Sequence, residues 1–238
     1  QNFLYEIGAV PTRDPFIRKM GSGLILDDTG RKMSKSSANG VSPLEVIDKY
    51  GADAARLHVH FLGGYEDNTP WTYDGINGIT SFLNRVWKLP EMIKGEDVSQ
   101  EHIYELNRLI KKVEEDYENL QLNTAIAASM SFVKRVREDG FITGEEFKKF
   151  LVILNPMAPF ITSELYENVF SGDILDEQWP EYDTNYLQED TIELPIQVKG
   201  KKVRIIKVSS KITEEELVAI IKDNYPELFD GKDIRKVI

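Results

Sequence analysis

Cysteine is absent from the 238 residues, so the chain can build neither a disulfide framework nor a thiolate zinc site. A cysteine-free chain fits a reducing, cytoplasmic setting. Long apolar runs are missing as well, the longest falling far short of the roughly 20 residues that span a bilayer, and no membrane partner is expected. No basic stretch followed by an apolar one opens the chain, which argues against a secretory leader. Histidine is scarce. Only His58, His60 and His102 occur, and a spacing of two turns the first pair onto different helix faces, so no metal site is expected. Positive charge is also in deficit, with 29 Lys and Arg against 40 Asp and Glu, a net charge of −11. Taken as an average, that disfavours a polyanionic partner.

The average hides a segregation. Residues 150–198 carry ten acids and no Lys or Arg, whereas 199–211 hold Lys199, Lys201, Lys202, Arg204, Lys207 and Lys211 with no acid. An apolar fraction of 41% supplies a packed core and excludes full disorder. At about 150 residues per domain, the length fits one large or two modest domains. The chain opens on Gln1 rather than Met, and we expect a piece of a longer protein.

Glycine and proline break residues 1–40 into loops. Within them, Gly23–Leu26 reads as a short buried strand, followed by an Asp27-Asp28-Thr29-Gly30 turn. Ser42-Pro43-Leu44-Glu45 predicts a helix start with a capping box, ending near Gly51, and a second helix runs from Asp53 to about Leu62. From Asp74 the period is helical for about a hundred residues. Ile76, Ile79, Phe82, Leu83, Val86 and Trp87 share one face, and Ser99 opens a helix striped by Ile103, Leu106, Ile110, Val113, Tyr117 and Leu120. Further helices are expected at about 124–138, 144–154 and 159–170, the second capped by Thr143 with Glu146. Short loops between amphipathic helices predict a bundle. An acidic linker at 171–190 leads to strands at 192–198 and 203–208 around Lys199-Gly200-Lys201, then a helix capped by Thr213. Ile234–Ile238 reads as a last strand.

The sharpest signal is Lys32-Met33-Ser34-Lys35-Ser36. Two ammonium groups and two hydroxyls within five residues can present several donors to a polyphosphate, and lysine tracks moving charge as a flexible point cation. An arbitrary two-lysine loop would be solvated surface, but a chance match to five specified residues is on the order of one in ten thousand. This pentapeptide resembles the signature loop of class I aminoacyl-tRNA synthetases, and its surroundings are similar to the leucyl family. The likeness runs through Tyr50-Gly51-Ala52-Asp53, Pro70-Trp71, Phe82-Leu83-Asn84-Arg85-Val86-Trp87 and Leu154-Asn155-Pro156-Met157-Ala158-Pro159-Phe160. It ends in Pro195–Lys201 and Lys236-Val237-Ile238, which resemble the small C-terminal domain of bacterial members. The fold this implies is mainly α: a remnant of a Rossmann-like catalytic domain at 1–70, a helical anticodon-binding bundle at 71–190 and a small α/β module at 191–238.

The resemblance implies leucine–tRNA ligation, with ATP accompanied by Mg2+, leucine-specific tRNA as partner, leucine reached through a part not present here, and a monomer. By the same likeness Lys35 and Lys32 act on the ATP phosphates, Ser34 and Ser36 give hydroxyl donors or loop shape, and Met33 anchors the loop. The family continues that loop with a basic or apolar residue and then Gly-Asn, where this sequence has Ser37-Ala38-Asn39 and Gly40. The family's His-containing loop has no counterpart, so this chain is expected to be inactive alone. Two other readings stay open: a non-catalytic tRNA-binding subunit of a split synthetase, and an isoleucyl or valyl enzyme. For the cations at Lys199, Lys201, Lys202 and Arg204, phosphate contact with tRNA stands beside edge-strand protection against aggregation. Trp71 and Trp87 have the chemistry to stack on a base, but Trp87's stripe puts it in the core. Glu114, Glu115, Asp116 and Glu118 read as a solvated helix face.

Overall fold

The structure is a computed structural model describing residues 1–16, 18–34, 36–95, 100–187, 191–198, 201–209 and 212–226. It is mainly helical and divides into two compact units, Gln1–Glu181 and Tyr182–Ile238.

The first unit begins with a short helix α1 (Asn2–Glu6), none of it buried, and a two-residue strand β1 (Ile25–Leu26). Helices α2 (Pro43–Tyr50) and α3 (Ala52–Phe61) follow, then strand β2 (Thr69–Pro70), which pairs parallel to β1. Gly51 separates α2 from α3 with φ +90° and ψ 157°, a conformation that a Cβ would oppose. Gly23 is held by a second constraint: its N–H donates to the Tyr65 carbonyl at 2.8 Å, and a Cβ there would lie 1.8 Å from the Asp67 carbonyl oxygen. Only glycine lets the two backbones come this close.

The bundle comprises α4 (Asp74–Trp87), α5 (Gln100–Glu118), α6 (Leu122–Asp139), α7 (Gly144–Leu154) and α8 (Pro159–Phe170). Helix α5 packs on α6 and α7 on α8, while α3 lies against α4, α6 and α8. The second helix after the lysine loop, α3, is therefore built into the bundle. The expected stripes of α4 and α5 supply core residues, Ile76, Ile79 and Val86 on the first and Ile110 and Val113 on the second, and α7 adds Phe147, Phe150 and Leu151, all buried. At α7 the expected capping box is complete, with Thr143 accepting from the Glu146 N–H and Glu146 accepting from the Thr143 N–H.

Four sequence expectations are corrected. Ser42 is the N-cap of α2 and Pro43 its first residue, but the serine side chain makes no capping bond, so no capping box forms. The Gly23–Leu26 segment is half-buried at Ile25 and Leu26 and exposed at Leu24. Trp87 is 49% exposed, not core. Val86 and Ile79 centre the buried stripe of α4, and the last residue of the helix lies roughly 90° around from them. Asp116 is buried, unlike the rest of its acidic run. It sits where α5 turns into α6, accepts from Thr124 Oγ1 at 2.7 Å and pairs with Lys112 one helical turn earlier. His102, with no role assigned by the sequence, is also buried, Nε2 at 2.7 Å from Asp139 Oδ2 and Nδ1 at 3.4 Å from Glu146 Oε1, with its ring stacked on Phe141. It joins the start of α5 to the end of α6 and the start of α7.

In the second unit, β3 (Thr191–Val198) and β4 (Lys201–Ser209) form an antiparallel hairpin, followed by α9 (Glu214–Asn224). Thr213 and Glu216 complete a capping box on α9. Ile206, Val208 and Leu217 are buried, with Leu194, Ile196, Ile212, Ile221 and Tyr225 packed against them. Ser99 and the expected strand Ile234–Ile238 lie outside the described residues. Among the described residues, no helix is long and apolar enough to cross a membrane.

Candidate functional site

The lysine loop leaves β1 through a tight turn. The Asp27 N–H donates to the Arg31 carbonyl at 2.8 Å, the Gly30 N–H donates to the Asp27 carbonyl at 3.0 Å, and Lys32 bridges back to Leu26. The Asp27 side chain organises the turn. Its Oδ1 accepts from the Thr29 N–H at 3.0 Å, the Thr29 hydroxyl at 2.7 Å and the Arg31 N–H at 2.9 Å, an arrangement that suits aspartate at a turn's first position. Its Oδ2 accepts from the Asn39 side-chain amide at 2.7 Å. The Asn39 bond, followed by those from Thr29 and Arg31, holds the Asp27 carboxyl well below the usual carboxylate range.

Asn39 also faces the near side of the loop: its amide donates to the Lys32 carbonyl at 3.3 Å and its Oδ1 accepts from the Ser34 N–H at 3.0 Å. Between these ends the hydroxyls gather. Ser34 Oγ lies 3.1 Å from Ser36 Oγ and 2.7 Å from Ser37 Oγ, and accepts from the Ser37 N–H at 3.2 Å. Ala38 adopts φ +49°. Lys32 is exposed and Met33 half-buried; Lys35 lies outside the described residues. An exposed ammonium beside a cluster of hydroxyls on a closed loop can bind an anion with several oxygens. Among the described residues, no group of three His, Asp or Glu could hold a metal ion.

The basic hairpin is a separate site. Lys201 and Lys202 open β4, opposite Val198 and Gln197, and Lys199 lies outside the described residues. Pairing steps from Ile196↔Arg204 to Gln197↔Lys202, so Val203 is the extra residue of a bulge, a device that increases local twist. The Arg204 guanidinium lies 4.7 Å from the centre of the Tyr225 ring, which joins the cationic strand to the end of α9.

Residues 100–220, just over half the chain, match the family model described as the anticodon-binding domain of tRNA ligase. The chain belongs to that family. Residues 7–70, which include the lysine loop, match the model of class I tRNA synthetases of the I, L, M and V group. Across its length the chain is leucyl-synthetase-like. It is 35% identical over 240 residues to the leucine–tRNA ligase of Alkaliphilus oremlandii, covering 99% of this chain and 30% of that protein. A crystal structure described as the ternary complex of Agrobacterium radiobacter K84 agnB2 LeuRS with tRNA and LeuAMS matches with a TM-score of 0.74 at 27% identity, over 99% of this chain and 33% of that one. The chain thus spans about a third of the length of these relatives.

The synthetase-like segment and the anticodon-binding helices meet at a contact the sequence reading missed. Asp53, buried on α3, accepts from the Ile161 N–H at 2.7 Å and the Phe160 N–H at 3.3 Å, at the start of α8. The N-cap of α8, Ala158, has no capping side chain, and Pro159 fills the first position. The carboxylate thus satisfies two orphan donors from another helix, at the end where the helix dipole favours negative charge. Burial pushes the Asp53 carboxyl up, opposed by those two amides and by Arg56. No local spacing announces such a cap, because its partners lie over a hundred residues away. Asp27 and Asn39, by contrast, carried a local sign in the turn sequence and in the residues after the signature loop.

Proposed function

We propose that the chain contributes the phosphate-gripping loop and the tRNA-binding helices of a leucine–tRNA ligase. The observation that carries this reading is the succession, in one chain, of a class I synthetase match around Lys32–Ser36 and an anticodon-binding match over 100–220. In the first reaction a leucine carboxylate oxygen attacks the α-phosphorus of ATP, the bond to the bridging oxygen breaks, and pyrophosphate leaves. The aminoacyl group then passes to a terminal ribose hydroxyl of tRNA, releasing AMP. Charge builds on the departing phosphates, and the ammonium groups of Lys35 and Lys32 are suited to stabilise it, with Ser34 and Ser36 donating hydroxyl hydrogens. Interactions that strengthen only as pyrophosphate departs raise turnover more than ATP affinity. Mg2+ would accompany the nucleotide. Lys199, Lys201, Lys202 and Arg204 are proposed to meet tRNA phosphates, the setting is cytoplasmic, and the ligase acts as a monomer.

The test is leucine-dependent ATP–pyrophosphate exchange by the assembled ligase. Lys35→Ala is expected to lower the rate by at least about tenfold, and a near-native rate would remove this lysine, and the reading with it.

A further inference from the structure

The bonds around Asn39 do more than close a turn. Asn39 spends both ends of its amide on the opposite side of the loop: Nδ2 on Asp27 Oδ2 at 2.7 Å and the Lys32 carbonyl at 3.3 Å, Oδ1 on the Ser34 N–H at 3.0 Å. Asp27 in turn is fixed from the strand side. Its backbone follows β1, which is tied to β2 by the Thr69 N–H on the Leu24 carbonyl at 3.0 Å and the Trp71 N–H on the Leu26 carbonyl at 2.8 Å. A continuous path of bonds therefore runs from the paired strands through Asp27 to Asn39, and from Asn39 to both residues that flank Met33. Asp27 and Asn39 are both half-buried, while Lys32, Ser36 and Ser37 are exposed. The clasp is sheltered and the groups it carries face outward.

We infer that Asp27 and Asn39 form one clasp that positions the Lys32–Ser34 segment for the ATP step, as positioning residues that act through the loop. This rests on the proposed ligase reading. A loop already closed does not have to be ordered while pyrophosphate departs, so the clasp contributes to turnover. Mere turn stability would leave the chemical step unmoved. The donor–acceptor pattern supplies a sharp test. Asn39→Asp sets two carboxylates against each other across the Asp27 contact and breaks it. Adding Asp27→Asn restores one amide and one carboxylate across that contact with the direction of donation reversed, while residue 27 still offers an oxygen to Thr29 and Arg31 and residue 39 to the Ser34 N–H; only the bond to the Lys32 carbonyl is not regained.

The experiment is leucine-dependent ATP–pyrophosphate exchange by the assembled ligase carrying Asn39→Asp, the Asp27→Asn/Asn39→Asp pair or Lys35→Ala, with helical circular dichroism as the check on folding. Asn39→Asp is expected to lower kcat about tenfold with KM for ATP within about twofold, and the swapped pair to recover about threefold of that loss, the Lys32 carbonyl bond remaining unmade. Native kcat in folded Asn39→Asp would overturn the inference, as would a failure of the swapped pair to recover, or a loss carried by KM alone. The two readings fail separately: a fully active Lys35→Ala removes the ligase reading, whereas an inactive Lys35→Ala beside a fully active Asn39→Asp removes only the clasp.

Discussion

Ala38 adopts φ +49°, immediately before the residue whose amide closes the loop. For an L-residue with a Cβ that region costs about 1 kcal/mol relative to glycine, and the surrounding bonds must hold it there. Ala38→Gly should therefore relax the loop without altering its shape. The expected readout is slower amide hydrogen exchange at Ser34 and Ser37, by roughly fivefold; faster exchange at both would show that the alanine is not strained. The loop illustrates which single-residue facts a sequence carries. The cation and hydroxyl set of Lys32–Ser36 was legible because residue types and spacing alone define it. The roles of Asp27 and Asn39 were not, although both stood in view, because a side-chain bond across twelve residues depends on how the turn folds. Asp27 also has a pH consequence. A carboxyl held below its ordinary range contributes above its unfolded value and loses that contribution only as pH falls through the folded one, so the clasp persists across the neutral range.

Among the elements, the capping box on α7 was readable from Thr143 and Glu146, three apart ahead of an apolar run, and it forms with both residues buried. Thr143→Ala is expected to lower stability by about 1–2 kcal/mol, read from thermal or urea unfolding. A change below about 0.3 kcal/mol would mean that the Glu146 side chain suffices. The similar pattern at Ser42 and Glu45 did not form the box, which shows that a capping motif gives an opportunity and tertiary packing decides its use. From α2 onward helix existence and bounds were close to the periodic reading, whereas the short α1, the exposure of Trp87 and the burial of Asp116 were not. Periodicity locates a face but not its rim, and it says nothing of a polar group that a helix corner will enclose. The cap that Asp53 lends to α8 makes a further prediction. A carboxyl whose folded value lies above its unfolded one contributes fully below the unfolded value, and that contribution falls as pH climbs through the folded one. The stability of Asp53→Asn relative to the native chain should therefore improve as pH rises from about 3 to about 6. Parallel melting curves across that range would rule out a raised Asp53. Asp53→Ala, which leaves two donors of α8 without an acceptor, should cost about 1–3 kcal/mol at either pH.

For the whole molecule, a net charge of −11 coexists with a stretch of six cations and no acid at 199–211. Binding of a polyanion follows the local density of cations and is salt-dependent, since each neutralised phosphate releases counterions. Reversing Lys201 and Lys202 to Glu is expected to weaken tRNA binding at low salt and to flatten the slope of log affinity against log salt by about 2. Titrations at two salt concentrations read both, and unchanged affinity at low salt would assign the hairpin cations to edge protection. The division into Gln1–Glu181 and Tyr182–Ile238 has a counterpart in the composition shift at the acidic linker. That the lysine-loop segment would share a compact unit with the bundle was not legible, because α3 packs on α4, α6 and α8 and Asp53 caps α8 through partners far away in the sequence. That tie bears on how the chain comes off the ribosome. Asp53 emerges more than a hundred residues ahead of Phe160 and Ile161, so at about 5–20 residues per second its carboxylate waits some 5–20 seconds for the amides that will hold it. The lysine-loop end of this polypeptide is made early and locked late.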